Sequence, residues 1–485
     1  MTVLADRPRS STAVAPASAA PRVSRLERLA GPAWPLRLLL VGFPLWWALG
    51  LASFVVLLAA GVMAVQVRRR GLPRLPAGFP LLLLFLGWML AGAFLLWADA
   101  PGTVGGGGPE RLIPFFYRVL WYLAVTVAVL YPLSLPSSVL PLTVVSRWLG
   151  SLFIVCVVGG LAGLVAPSFE FVSPMELLLP GASNDTGFLN ALVHPSLTTQ
   201  SDFLGYVQPR PKAPFTYANA WGNNLGLLLP FFVYGWATHE QRWRRVAIVP
   251  VLALAAVPVA YSLNRGLWLG LCVLAVGTAI ALARTGRYAA VWALTVGLLL
   301  ATAVLVVSPL WQTITLRLDT PHSNERRATV AQVVPETTLR GSPLLGFGTT
   351  RKVEGSFSSI AGGGSPECRQ CAAPPLGTQG FLWRLIFTTG FVGTGLFLGF
   401  LGVNFLRHVR RREPACVLGC LTLVTSGLFF LVYDSLELPL FVLMLAVGLM
   451  NRARHEAQAP VALSDTLSGT LSGAVPTGGG RRAAA

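Results

Sequence analysis

The sequence predicts an all-α polytopic membrane protein of about 12 transmembrane helices, and three observations carry that expectation. Hydrophobic residues make up 54% of the 485 and charged residues only 12%, with a mean hydropathy of +0.65. That balance fits a chain whose main solvent is lipid. The apolar residues also fall in long unbroken runs. A hydrocarbon slab about 30 Å thick needs roughly 20 such residues per helix, whereas a membrane β-barrel shows short alternating segments. Finally, the basic residues cluster between the runs. The net charge of +18 is thus no soluble basic stripe, which argues against a nucleic-acid partner.

Apolar runs occur near 36 to 49, 51 to 67, 79 to 98, 113 to 133, 148 to 166, 222 to 238, 246 to 261, 266 to 283, 289 to 308, 380 to 404, 415 to 433 and 437 to 450. The stretch 36 to 67 would make one helix of about 48 Å, too long for a single crossing, so we split it at Leu49-Gly50. The positive-inside rule supports the split. With twelve crossings, Arg68 to Arg70, Arg242 with Arg244 and Arg245, Arg284 with Arg287, Arg407 with Arg410 to Arg412, and Arg452 with Arg454 all share one side. Both termini are then cytoplasmic, in a bacterial inner membrane. Residues 1–33 and 456–485 are expected to be disordered cytoplasmic tails flanking a membrane domain at 34–455.

This threading places two long loops outside, at about 167–221 and 309–379. Long loops carry function more often than short ones. A major-facilitator transporter would show an internal repeat and a long central cytoplasmic loop, and neither is visible.

The first outer loop ends in QPRPKAPFTYANAWGNNLGLLLP, which sets Arg210 and Lys212 before the amide-rich stretch of Asn219, Asn223 and Asn224. Headgroup anchoring is one reading of these cations, and anion binding is the other. Arg265, in YSLNRGLWLG, stands between two apolar runs on the side where arginine is disfavoured, and so calls for an anionic partner. Its planar fork grips two phosphate oxygens in a way that lysine does not. In the second loop, Ser323 is expected to cap a helix carrying Glu325, Arg326 and Arg327. Pro335 is expected to end that helix, and SPLLGFG to return the chain to the surface. His322 is that loop's one histidine. Cys368 and Cys371 form a lone CxxC without a second pair to complete a metal site, which favours a local disulfide. The remaining cysteines, Cys156, Cys272, Cys416 and Cys420, lie in apolar runs as small buried residues.

Taken in order, APFTYANAWGNNLGLLLP, SLNRGLWLG, SNERR, SPLLGFG and GTQGFLWRLIFTTGFVGTGLFL resemble the O-antigen ligase and polymerase family over roughly residues 205 to 400. The resemblance implies a GT-C-like membrane glycosyltransferase. It would take a glycan from an undecaprenyl-diphosphate carrier at the outer face and join it to an acceptor glycan or glycolipid, with no cofactor and no metal. Arg210 and Arg265 match the family's arginines before F-x-x-x-N and in R-G-x-W-L and would act on the diphosphate. Arg326 is a third candidate, His322 a candidate for proton transfer, and Lys212, Asn219 and Gln379 candidates for substrate binding. The family usually carries histidine just before the helix that follows the large loop. Here Gly377-Thr378-Gln379-Gly380 stands in that place, which leans toward a polymerase or another polysaccharide-joining relative. A lipid-linked-sugar flippase is the alternative, although it would need polar groups at mid-membrane.

Overall fold

The structure, a computed structural model, describes residues 31–179, 188–201, 208–308, 310–318, 322–354 and 375–471. The chain breaks within its first apolar stretch as expected. Helices α1 (Trp34–Val41) and α2 (Phe43–Ala48) are separated from α3 (Ala52–Arg70) by a turn in which Gly50 takes a φ of 75°. A Cβ at Gly50 would stand 2.2 Å from Ser173 Oγ, so both the turn and its packing require glycine.

Helix α4 (Phe79–Ala91) continues as a 3-10 turn to Leu95 and is followed by α5 (Leu112–Leu133) and α6 (Leu142–Val165). The first long connection folds into α7 (Pro174–Leu178), α8 (Phe188–Val193) and the hairpin of β1 (Thr198–Ser201) with β2 (Gln208–Pro211), an antiparallel pair with Thr199 opposite Arg210. Next come α9 (Ala218–Ala237), α10 (Arg242–Tyr261), α11 (Arg265–Arg284) and α12 (Tyr288–Val307). The second long connection holds α13 (Leu310–Leu318) and α14 (His322–Gly341), and the chain closes with α15 (Phe381–His408), α16 (Pro414–Val432) and α17 (Leu438–Leu471).

Every expected run is thus helical. Among the described residues, eight helices are long and apolar enough to cross a membrane, namely α3, α5 with its leading turn, α6, α10, α11, α12, α15 and α16. The other expected runs form α1 with α2, the shorter α4, the amide-bearing α9, and the start of α17. The protein is an all-α membrane protein.

The apolar part of α17 is the bundle's axis. Residues Leu440 to Val447 are all at most 2% exposed, and a helix buried on every face lies inside a bundle. It packs against α5, α9 and α16. Its backbone meets α5 closely at Gly448, where a Cβ would lie 2.3 Å from Val129 O. In contrast, α12 buries no residue and lies on the periphery. Beyond the axis, α17 stays helical to Leu471, into the segment expected as a tail from 456. The Arg-Ala-Arg-His-Glu-Ala-Gln run at its exit is made of helix-favouring residues.

Three expectations for the second connection need correction. Pro335 does not end α14, which runs on to Gly341. Proline there removes one backbone bond, to Ala331 O, while burial of Val330, Val334 and Thr338 holds the helix in place. Ser323 lies inside α14 rather than before it. The SPLLGFG segment, for its part, is at the surface only in its first half, where Pro343 and Leu344 are exposed, while Gly346 to Gly348 insert into the bundle. Helix α15 breaks at Gly390 (φ 67°). The Phe347 and Gly348 N–H groups donate to Phe387 O (2.8 Å) and Thr388 O (3.0 Å), and Phe391 N–H donates to Pro343 O (2.8 Å). The loop thereby satisfies backbone groups that the break exposes. A Cβ on Gly390 would fall 2.1 Å from Leu344 O.

The basic clusters lie at one end of the bundle. Arg284 donates to Val409 O (2.6 Å) and Arg452 to Leu140 O (2.8 Å). A closed amide network of Asn404, Asn451 and the Ala77 backbone ties the same end together. Cys156 and Cys416 are buried as expected, but Cys272 is exposed, because α11 turns part of its apolar surface outward, and Cys420 on α16 is only partly buried.

Candidate functional site

The opposite end of the bundle gathers the polar groups. The β hairpin carries Arg210 onto the end of α10, where its Nε donates to Ser262 O (2.6 Å) and its Nη2 to Asn219 Oδ1 (3.4 Å). The side chain is 7% exposed, and burial pushes the guanidinium down to about 10, with the like charge of Arg327 adding to the shift. Past Ser262, Leu263 takes a left-handed φ of 53°, turning the chain so that Asn264 precedes α11 and Arg265 begins it.

Tyr433 closes this corner from the turn between α16 and α17. Its hydroxyl donates to Asn264 Oδ1, and a Cβ on Gly266 would come 2.7 Å from that hydroxyl. The glycine of Arg-Gly-Leu-Trp therefore makes room for tyrosine. The tryptophan, Trp268, ties α11 back to α10 by donating to Val259 O (3.0 Å). Arg327, on α14, completes the group. Burial lowers its pKa, the Tyr433 oxygen opposes that shift, and the nearby Arg265 charge adds to it. Arg210 and Arg327 thus meet at Tyr433, and Arg265 lies near Arg327, the three coming from three elements.

Several buried polar atoms here have no hydrogen-bond partner among the described residues: Arg327 Nε, Asn264 Nδ2, Asn223 Oδ1 and Asn224 Oδ1. Each such atom costs about 1–3 kcal/mol unless water or a ligand meets it. Asn223 spends its Nδ2 on Ser435 Oγ (2.9 Å), which pins α9 to the same turn as Tyr433.

Next to the arginines lies an acidic pair on that turn. Asp434 forms an ion pair with Arg384 of α15, and Glu437 lies near Arg384 and Tyr117. Both carboxylates line a cavity of about 30 Å³ with Ser53, Thr216 and Asn224, room for about one water molecule.

Of the residues singled out in the sequence, Arg210, Arg265 and Asn219 come together. Lys212 does not join them. Its pKa is lowered by burial and raised by Glu170, so it faces the group in which His194 Nδ1 meets Glu176 (2.8 Å) and Nε2 meets Glu170 (3.6 Å). Gln379 is exposed, in a left-handed conformation (φ 64°). Arg326 and His322 lie on α14 with side chains outside the described residues, and Cys368 and Cys371 lie outside them altogether. No group of three or more His, Cys, Asp or Glu residues among the described ones is arranged to hold a metal ion.

Sequence reasoning missed Arg327, Tyr433, Asp434, Glu437 and Arg384. The signal for the carboxylates was present, since YDSLEL sets two acids between apolar runs on the same side as Arg265.

A helical membrane bundle with one buried and two partly buried guanidinium groups and unmet amides at one end has the chemistry to hold a polyvalent oxyanion against a partly dehydrated surface. No family model matches the chain, and no curated protein matches it.

Proposed function

We propose that the protein is a membrane glycosyltransferase that takes a glycan from an undecaprenyl-diphosphate carrier and joins it to an acceptor sugar hydroxyl, in cell-surface polysaccharide assembly. The carrying observation is the meeting of Arg210 and Arg327 at Tyr433, with Arg265 near Arg327, at the end opposite the basic clusters. On this reading the twelve helical runs are twelve crossings of a GT-C-like bundle in the bacterial inner membrane. The basic clusters mark the cytoplasmic side and the site faces outward.

The acceptor oxygen attacks the anomeric carbon, the bond from that carbon to the diphosphate oxygen breaks, and the electron pair leaves with the lipid diphosphate. Fixed guanidinium groups stabilise the charge that develops there better than mobile water does. The acceptor's proton goes to a carboxylate of the turn between α16 and α17, which takes the part played by histidine in the proteins the sequence resembles. Glu437 is the better candidate, because Asp434 is already held in an ion pair.

The test is incubation of purified protein with an undecaprenyl-diphosphate oligosaccharide, following release of lipid diphosphate and product size. Release with chain growth defines a polymerase, and release with single transfer a ligase. Absence of release with the native glycan overturns the enzyme in favour of a flippase.

A further inference from the structure

A second feature lies at the basic end, far from the arginine–tyrosine corner. Helices α11, α15 and α16 leave between them an open groove of about 440 Å³. Its walls are apolar, formed by residues such as Val276, Ile280, Leu421 and Val424, and its mouth is formed by Arg284, Arg411 and Arg412. Along α11 the groove runs from Cys272 to Arg284, a rise of about 18 Å at 1.5 Å per residue. Half of a hydrocarbon core is about 15 Å. The groove therefore has the depth of one leaflet, with the charges at its headgroup level.

The mouth is built rather than incidental. Arg284 is fixed across the seam by its 2.6 Å bond to Val409 O. Arg411 shares the nearby Glu413 carboxylate at 3.3 Å, and Arg412 is exposed. Three cations against one carboxylate leave the mouth positive, and a headgroup with its own cation would match it poorly. Val276 (60% exposed) and Ile280 (55% exposed) present apolar surface to whatever lies in the groove. A basic mouth over an apolar interhelical groove on one face has the chemistry to recognise an anionic lipid.

We propose that this groove is a binding site for an anionic glycerophospholipid of the leaflet on the basic side. The phosphate is held by Arg284, Arg411 and Arg412, and one acyl chain lies along α11 past Ile280 and Val276 toward Cys272. The site is independent of the glycosyl-transfer reading and stands or falls separately.

The test uses the full chain, purified and exchanged into phosphatidylcholine bilayers with or without phosphatidylglycerol. Maleimide labelling of Cys272 is followed by peptide mass, and retained lipid by native mass spectrometry. Phosphatidylglycerol is expected to slow Cys272 labelling several-fold and to remain bound after transfer to detergent, whereas phosphatidylcholine does neither. Arg411→Gln with Arg412→Gln is expected to abolish retention. Ile280→Trp fills the groove from an outward-facing position and is expected to abolish retention with the arginines intact. Equal protection by the two lipids overturns the proposal, and so does undiminished phosphatidylglycerol retention in Ile280→Trp, which would reduce the effect to surface charge.

Discussion

Tyr433 holds Asn264. Its hydroxyl, on the turn between α16 and α17, donates to the Asn264 side-chain oxygen, and the next residue in the chain is Arg265. One tyrosine from the end of the sequence thus sets the first turn of α11 and the start point of an arginine that the bilayer disfavours. Tyr433→Phe removes that bond while keeping the ring, and leaves a second atom of the Asn264 amide unmet beside Nδ2. We expect a loss of about 1–3 kcal/mol in stability, read by thermal unfolding in detergent, with a larger loss of glycan transfer. Gly266→Ala should reproduce it, since its Cβ would stand 2.7 Å from the same hydroxyl.

The guanidinium group of Arg265 is expected to work through geometry as well as charge. Arg265→Lys keeps the cation but not the planar fork that grips two phosphate oxygens. Glycan transfer should fall at least about tenfold, equivalent to about 1.4 kcal/mol of transition-state stabilisation. Full polymer assembly by this variant would remove Arg265 from the diphosphate site.

Clustered cations destabilise the ligand-free protein, and that gives a prediction of opposite sign. Arg210 is pushed down to about 10 by burial, with Arg327 contributing, and burial also lowers Arg327. In both groups the folded state disfavours the charged form at neutral pH, so removing one charge relieves the other. Arg327→Gln should therefore raise the melting temperature of the unliganded protein, by about 2 °C. The same variant should lose the stabilisation that pyrophosphate gives the parent, about 2.7 kcal/mol at 100 times its dissociation constant. A melting temperature that falls without ligand would show that Arg327 is structural.

Gly390 tests the architecture independently of chemistry. Its φ of 67° belongs to glycine, and an added Cβ would meet Leu344 O at 2.1 Å, a backbone atom with no rotamer to yield. Gly390→Ala should cost about 3 kcal/mol or more and release the SPLLGFG insertion. Limited proteolysis between Ser342 and Gly348 should then become faster, while a neighbouring change at the exposed Phe391 should leave it unchanged.

The sequence made the membrane class, the helical runs, the turn at Gly50 and the shared end of Arg210 and Arg265 legible, because hydropathy and charge asymmetry act locally along the chain. Contacts across the bundle were not legible. Tyr433 reaches Asn264 over a separation of 169 residues, and no periodicity encodes that. Arg326 and Arg327 are adjacent, so only the packing of α14 decides which face meets Arg265. Lys212 looked equivalent to Arg210 in composition. Strand alternation would set residues two apart on the same face, but β2 ends at Pro211 and the chain beyond it turns Lys212 toward Glu170. Pro335 is tolerated because buried neighbours outweigh one lost hydrogen bond, a balance that local propensity does not contain.

The carboxylates of the turn between α16 and α17 separate binding from chemistry. Asp434 is engaged with Arg384, so Asp434→Asn leaves that partly buried cation with Glu437 alone as counter-charge and should lower stability together with transfer. Glu437 borders the cavity that also receives Ser53, Thr216 and Asn224, and Glu437→Gln is close to isosteric. If Glu437 takes the acceptor's proton, Glu437→Gln should cut transfer about 100-fold or more while the stabilisation by pyrophosphate stays at the parent value, because the arginines that hold the anion are untouched. Loss of both together would make Glu437 a support for Arg384 rather than a base. Retention of both would move the proton to His322, at the start of α14, and His322→Gln in the same two assays would then carry the effect.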